Sequence, residues 1–267
     1  MLNMQNVRRV VVKVGTSTLT YPSGKLNIRC IERLVRCISD LENRDYEMIL
    51  VSSGAVSVGA AKMKLSERPK ELRLKQAAAA VGQCELMHIY DKMFLEYGNN
   101  VAQILLTRHD VSQPEQKELI HNTFDALLEN RIIPIVNEND TVAVDEMEFL
   151  ETFGDNDTLS AEVSALCRAD LLLVFTDIDG LYDEDPRTHT DAHLIPIVHT
   201  ITDDLRMVAG GAGSKNGTGG MITKLNAAQI CMDEGIPMRI VNGERPEIIF
   251  DIMEGRTPGT LFMKKEN

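Results

Sequence analysis

The densest set of side chains that could carry chemistry lies in residues 137–157. This segment reads NENDTVAVDEMEFLETFGDND, and its eight carboxylates belong to Glu138, Asp140, Asp145, Glu146, Glu148, Glu151, Asp155 and Asp157. It follows an apolar run typical of a strand (132–136) and precedes one typical of a helix (158–166). Open α/β sheets bind polar ligands at such strand ends, so we predict a ligand site here rather than a solvated acidic loop. Asp157 or Thr158 could also cap the helix, which would give one of them a purely structural role.

A lysine lies inside the first predicted strand. Residues 10–14 are β-branched and apolar except for Lys13, and the sequence Gly-Thr-Ser-Thr follows at 15–18. Strands of this kind are buried on both faces of a parallel sheet, where a lysine is costly unless it faces an anion. We therefore predict that Lys13 binds phosphate and that the turn beginning at Gly15 suits the same ligand.

Two further glycine-rich segments fit an anion site. The second predicted strand (48–51) leads into SSGAVSVG at 52–59, where small residues let backbone N–H groups approach a ligand. Residues 210–220 hold six of the 18 glycines and lead into a predicted helix (221–232) with Lys224 in its first turn. A glycine loop before a helix N-terminus is typical of phosphate binding, and a mobile surface linker is the alternative.

Charge and composition exclude several classes of protein. The formal net charge is −12 over 267 residues, which argues against nucleic-acid or anionic-membrane binding. No apolar stretch resembles a signal peptide or a membrane span, so we expect a cytoplasmic protein. The five cysteines form no CxxC pair and are predicted to be reduced thiols in the core, and no Cys/His cluster predicts a dedicated metal site.

Strand-like and helix-like segments alternate along the chain. Strands are predicted at 10–14, 48–51, 101–107, 132–136, 171–176, 194–198, 237–241 and 260–263. Helices are predicted at 28–41, 76–97, 119–130, 158–166, 202–209 and 221–232, the first capped by Asn27 and the second given only a structural role. This order predicts a single α/β domain over 1–267, a three-layer α/β/α sandwich with a mainly parallel central sheet.

The candidate residues favour phosphoryl transfer. The chain has no GxxxxGK[ST] and no GxGxxG, which argues against a P-loop enzyme and against a nicotinamide-dependent oxidoreductase. It has two lysines, each beside glycines, with carboxylates between them in sequence. Phosphoryl transfer needs cationic groups on the β- and γ-phosphates, Mg²⁺ across them, and carboxylates that position the cations.

Six motifs resemble the amino-acid kinase family, and within it the members that phosphorylate glutamate. They are VVKVGTSTL (11–19), VSSGAV (51–56), VNENDT (136–141), FGDNDTLSA (153–161), TDIDGLY (176–182) and GTGGMITK (217–224). They are collinear and span nearly the whole chain. The resemblance implies ATP-dependent phosphorylation of the γ-carboxylate of L-glutamate, the first step of proline biosynthesis.

The resemblance also implies residue roles. Lys13 and Lys224 would stabilise the transferring phosphoryl group, and Asp157 would hold both lysines. The glutamate-binding positions would be Ser53, Gly54, Asp140 and Asn156. The nucleotide-binding positions would be Lys13, Gly15, Thr176, Asp177, Thr218, Gly219, Gly220, Met221, Ile222, Thr223 and Lys224. Mg²⁺ would be held through the ATP phosphates, with glutamate bound mainly by the N-terminal part and ATP mainly by the part from about residue 170.

Regulation and partners are further expectations from the resemblance. Proline is expected as feedback inhibitor, with a dimer or tetramer of the chain and a functional link to glutamyl-phosphate reductase. Residues 141–153 form a longer loop than the resemblance leads us to expect, and the chain resembles the form without a C-terminal PUA domain. The alternatives are a kinase for another acidic amino acid or for a nucleoside monophosphate, and a catalytically silent amino-acid sensor on the same fold.

Overall fold

One eight-stranded sheet forms the centre of the described molecule. The computed structural model describes residues 4–143, 155–186, 188–189, 191–209 and 220–265. Within these ranges the strands are β1 (Arg9–Val14), β2 (Glu47–Ser52), β3 (Asn100–Leu106), β4 (Ile132–Glu138), β5 (Leu171–Thr176), β6 (Ile197–Val198), β7 (Met238–Asn242) and β8 (Thr260–Phe262). Their spatial order is β3-β4-β2-β1-β5-β7-β8-β6, and every neighbouring pair is parallel except β7 and β8. The predicted mainly parallel sheet is confirmed.

Helices cover both faces of this sheet. They are α1 (Thr16–Leu19), α2 (Ile28–Glu42), α3 (Ala55–Lys62), α4 (Leu72–Leu95), α5 (Arg108–Ser112), α6 (Pro114–Glu129), α7 (Asn156–Leu166), α8 (Asp203–Ala209), α9 (Met221–Asp233) and α10 (Ile248–Met253). The predicted cap of α2 is confirmed, since the Asn27 side chain accepts a hydrogen bond from the backbone N–H of Cys30 at 3.3 Å.

Two apolar cores explain why the strands have no polar face. Val11 packs with residues of α7 and α9 on one side of the sheet, whereas Val10 and Val12 pack with residues of α2 and α4 on the other. All three valines are fully buried. The three-layer α/β/α sandwich is therefore confirmed, and its inner strands are apolar on both faces, with the buried Lys13 of β1 as an exception.

Several predicted boundaries were wrong. Residues 16–19 form the short helix α1, and the second glycine-rich segment enters α3 after Gly54, whose φ of 99° suits glycine. The helix predicted at 76–97 begins at Leu72, and α5 and α10 were missed because both are short.

Cys84 is exposed on α4, so the prediction of a core thiol was wrong there, although the other four cysteines are buried. Among the described residues, no helix is both long and apolar enough to cross a bilayer.

Helices α3 and α4 cross with almost no space between their backbones. A Cβ atom on Gly82 would lie 1.8 Å from the carbonyl oxygen of Ala55, and one on Gly59 would lie 1.7 Å from that of Ala78. Neither backbone oxygen can move without shifting its helix. Two glycines are therefore required for this crossing, which places α4 beside the strand ends described below.

We expect Gly82→Ala to lower the free energy of unfolding by about 3 kcal/mol, because the added methyl group must separate the two helices. Urea denaturation would measure it. Gly98→Ala is the matched control, since a Cβ there meets nothing within 4 Å and φ is 79°. Gly98→Ala is expected to lower the free energy of unfolding by about 1 kcal/mol, because alanine must adopt the left-handed conformation there. An equal loss of unfolding free energy in the two variants would contradict the steric argument.

Candidate active site

A buried carboxylate joins two buried lysines at the carboxyl end of the sheet. Lys13 Nζ lies 2.6 Å from Asp157 Oδ1, and Lys224 Nζ lies 3.0 Å from Asp157 Oδ2. The Lys13 contact is an ion pair outside hydrogen-bond geometry, whereas Lys224 donates a hydrogen bond. Thr223 Oγ1 also donates to Oδ2, at 2.9 Å. Lys13, on β1, and Lys224, on α9, are separated by 211 positions in the chain, so only tertiary packing brings them together.

Three charges share this site, with one positive charge in excess. Burial by itself would raise the pKa of Asp157, but the charges of both lysines and the hydrogen bond from Lys224 hold the pKa below its ordinary value. Burial lowers the pKa of Lys13, and the attraction of Asp157 opposes this only in part. A pair of partly compensated cations beside a cavity is suited to an anion such as a phosphate.

Asp155 caps α7. Its Oδ1 accepts hydrogen bonds from the backbone N–H groups of Asp157 and Thr158 at 2.7 and 2.9 Å. The alternative that Asp157 or Thr158 caps this helix was therefore wrong. Because Asp155 satisfies these N–H groups, the Asp157 carboxylate is left to contact the lysines.

An amide and a serine lie beside the lysine pair. Asn156 Nδ2 lies 3.1 Å from the Ser52 carbonyl oxygen and 2.7 Å from Ser53 Oγ. It is also 3.0 Å from Asn137 Oδ1. Ser53 follows β2 directly, and β2 is the parallel neighbour of β1, with Lys13 opposite Val51. The strand pairing therefore places the Ser53 turn next to Lys13.

These groups surround one cavity of about 520 Å³. Of the predicted substrate positions, the lining includes Ser53, Gly54, Asp140 and Asn156. Of the predicted catalytic and nucleotide positions, it includes Lys13, Gly15, Asp157, Thr176, Asp177 and Lys224. The cavity thus gathers residues from all six motifs, which span most of the chain.

The predicted nucleotide positions at 220–223 are not among the residues that line this cavity. Residues 220–223 lead into and form the first turn of α9, next to Lys224, and Met221 packs against the apolar core. Thr218 and Gly219 lie outside the described residues, as do the acidic residues of 144–154.

Helix α4 contributes to the cavity, which the sequence interpretation missed. Lys75 and Gln76 line it, together with Arg68 from the preceding loop. Assigning this helix only a structural role was therefore wrong. The missed signal is the polar pair at 75–76 just before a run of four alanines, at the start of a helix that is otherwise poor in charge.

Comparison with known proteins agrees with the motifs. The sequence profile of the amino acid kinase family matches residues 8–242. A protein named Glutamate 5-kinase from Clostridium perfringens is 53% identical over 263 residues, which is 98% of each chain. Another of that name from Listeria innocua is 52% identical over 264 residues, covering 99% of this chain and 96% of the relative.

Solved structures share the fold at low sequence identity. Isopentenyl phosphate kinase from T. acidophilum, in its product complex, has a TM-score of 0.65 at 18% identity, covering 96% of this chain and 100% of that one. UMP kinase from Ureaplasma parvum has a TM-score of 0.64 at 16% identity, covering 97% and 100%. These two likenesses show the fold alone.

Proposed function

The chain belongs to the amino acid kinase family, and on that basis we propose that it transfers the γ-phosphoryl group of ATP to the side-chain carboxylate of L-glutamate. The products are γ-glutamyl phosphate and ADP, and the reaction begins proline biosynthesis. The observation that carries this proposal is the pair of buried lysines on Asp157, placed between the Ser53–Asn156 group and the Thr176–Asp177 strand end. The names of the curated relatives supply the identity of the acceptor.

The lysines would act on the phosphoryl group. Phosphoryl transfer to a carboxylate brings two anions together, so the barrier falls when fixed positive charge lies where they meet. Asp157 fixes both lysine side chains before the substrates bind, so little reorganisation is needed in the transition state. Lys224 also lies in the first turn of α9, whose N-terminal dipole favours phosphate.

The acceptor needs no general base. A glutamate side chain has an unperturbed pKa of about 4.3 and is already ionised at neutral pH. Ser53 would position this substrate, and Asp140 and Asn156 would accept hydrogen bonds from its ammonium group. Their positions around the cavity support these roles.

ATP would carry Mg²⁺ into the site. The described residues include no group of three His, Cys, Asp or Glu side chains able to hold a metal ion. Mg²⁺ is commonly held by substrate phosphates with few protein carboxylates, and Asp177 in the cavity wall is an available oxygen ligand. When bound, the ion would neutralise phosphate charge.

The family resemblance also supports proposals on organisation and regulation. We propose that residues before about 170 mainly bind glutamate and later ones mainly ATP, and that the enzyme is a cytoplasmic homo-oligomer inhibited by proline. A functional link to glutamyl-phosphate reductase would follow from the reactivity of an acyl phosphate. Shortening the loop 141–153 would test regulation: unchanged inhibition by proline would argue against a role for this loop.

The activity should depend on the protonation of Lys13. We expect kcat/KM for glutamate to fall as the pH rises through the pKa of Lys13, which burial holds below the ordinary value of 10.5. The sign follows because deprotonation removes a positive charge from the phosphate site. Initial rates between pH 7 and 10.5 would measure it, with circular dichroism to confirm folding, and a flat profile would contradict the role of Lys13.

A trapping assay tests the proposed function. The protein would be incubated with ATP, Mg²⁺, hydroxylamine and L-glutamate, with L-aspartate and UMP in parallel, and both ADP and hydroxamate measured. Glutamate-dependent hydroxamate matched by ADP is expected. Turnover with aspartate or UMP alone would reassign the acceptor, and binding of ATP and glutamate without turnover would indicate an amino-acid sensor.

A further inference from the structure

A chain of three buried amides connects helix α4 to the cavity. Gln83 Oε1 accepts a hydrogen bond from Asn137 Nδ2 at 2.9 Å, and Asn137 Oδ1 accepts one from Asn156 Nδ2 at 3.0 Å. Gln83 is 9% exposed and Asn137 2% exposed. Neither residue belongs to the catalytic or binding positions assigned above.

Backbone groups determine which way each amide points. Asn137 Oδ1 accepts from the backbone N–H of Glu138 at 3.0 Å, and an N–H can only donate. The Asn137 NH₂ group must therefore face Gln83, and the Gln83 oxygen must face Asn137. At the other end, Asn156 faces the Ser52 carbonyl oxygen, which can only accept, so its NH₂ group points there.

The Asn156 oxygen is then left for a ligand. Three protein oxygens within 3.1 Å take up the two N–H bonds of Asn156. Within the described part of the chain, no protein group donates to its Oδ1, and Asn156 lines the cavity. An oxygen so oriented can accept a hydrogen bond and cannot donate one.

We propose that Gln83 is a positioning residue for acceptor selectivity, acting through Asn137 to keep the Asn156 oxygen directed at the ammonium group of the substrate amino acid. Without the Gln83 oxygen, the Asn137 side chain loses one hydrogen-bond partner and its amide can rotate. The Asn156 amide then loses the acceptor that fixes its orientation. The α3–α4 crossing at Gly82 sets the position of Gln83 relative to β4. This inference rests on the proposed function, since it concerns the same acceptor.

The test compares two acceptors that differ in one group. Glutarate has the carboxylates of glutamate and lacks its ammonium. For each acceptor, kcat and KM would be measured by ADP release with hydroxamate trapping. Gln83→Met removes the acceptor oxygen at similar volume, and Gln83→Glu retains an oxygen facing Asn137. Gln229→Met repeats the first change on α9, where the Gln229 side chain donates hydrogen bonds to Asp233.

For Gln83→Met we expect KM for glutamate to rise about tenfold with kcat within about twofold, as for loss of one buried hydrogen bond. The kcat/KM for glutarate should stay within about twofold, so the preference for glutamate falls about tenfold. Gln83→Glu and Gln229→Met should keep the wild-type preference within about threefold. Equal losses on both acceptors, or an unchanged preference, would overturn the inference.

Wild-type protein supplies two further readouts. If Gln83→Met does not fold, L-2-hydroxyglutarate replaces the ammonium by a hydroxyl donor and should be used better than glutarate. Equal kcat/KM for glutamate, L-2-hydroxyglutarate and glutarate would overturn the inference. Absence of any glutamate turnover by the wild type would instead count against the proposed function itself.

Discussion

Replacing Lys224 with alanine is expected to lower kcat about 10³-fold while KM for glutamate stays within about threefold. Lys224 Nζ hydrogen-bonds to Asp157 in a buried position, so its charge is held in place before ATP arrives. Its positive charge would be felt most strongly where negative charge grows between acceptor and phosphate. The loss should therefore appear in the chemical step rather than in glutamate binding.

Steady-state kinetics with glutamate and ATP varied separately would measure this effect. Lys117→Ala is the control, since Lys117 is exposed on α6, outside the residues that line the cavity, and should retain normal rates. Single-turnover measurement would show whether the phosphoryl-transfer step itself has slowed. A normal kcat with a raised KM would assign Lys224 to substrate binding and would contradict its role in the chemical step.

Asp157→Asn is expected to lower the free energy of unfolding by about 3–5 kcal/mol, because it leaves two buried lysines without a counter-charge. The substitution keeps the shape of the side chain, so the effect is one of charge. Asp157 is 1% exposed and both lysines are buried, so the solvent screens their interaction only weakly. We also expect ATP to raise the melting temperature of this variant more than that of the wild type, since its phosphates supply the missing negative charge.

Chemical denaturation at several pH values would test the role of Asp157. Its folded-state pKa is lowered, so its stabilisation is present above the unfolded value of about 3.9 and is lost as the pH falls through the lower folded value. The gap between wild type and Asp157→Asn should close over that acidic range. Glu85→Ala, which breaks a partly exposed ion pair with Lys62, should cost below about 1 kcal/mol. Equal stability of Asp157→Asn and wild type would show that the lysines are neutral in the free protein.

Much of the architecture was determined by local sequence pattern. Continuous apolar runs such as the one containing Val12 occur only where helices cover both faces of a strand, so the α/β sandwich followed from strand composition. Lys13 and Lys224 were found in the same way, because a charged residue inside an apolar strand or after a glycine loop is locally unusual. Short helices such as α1 and α5 were missed because four or five residues carry too little periodicity.

Contacts between distant segments were decided by tertiary structure alone. The order of the strands places β1 between β2 and β5, which sets Lys13 beside both Ser53 and Thr176. Gln83 lies in the helix predicted at 76–97, which was given only a structural role, and its hydrogen bond to Asn137 spans 54 positions. Hydrophobic periodicity specifies which face of an element is buried but not which polar group of another element it will meet there, since that depends on how the strands are ordered and how closely the helices cross.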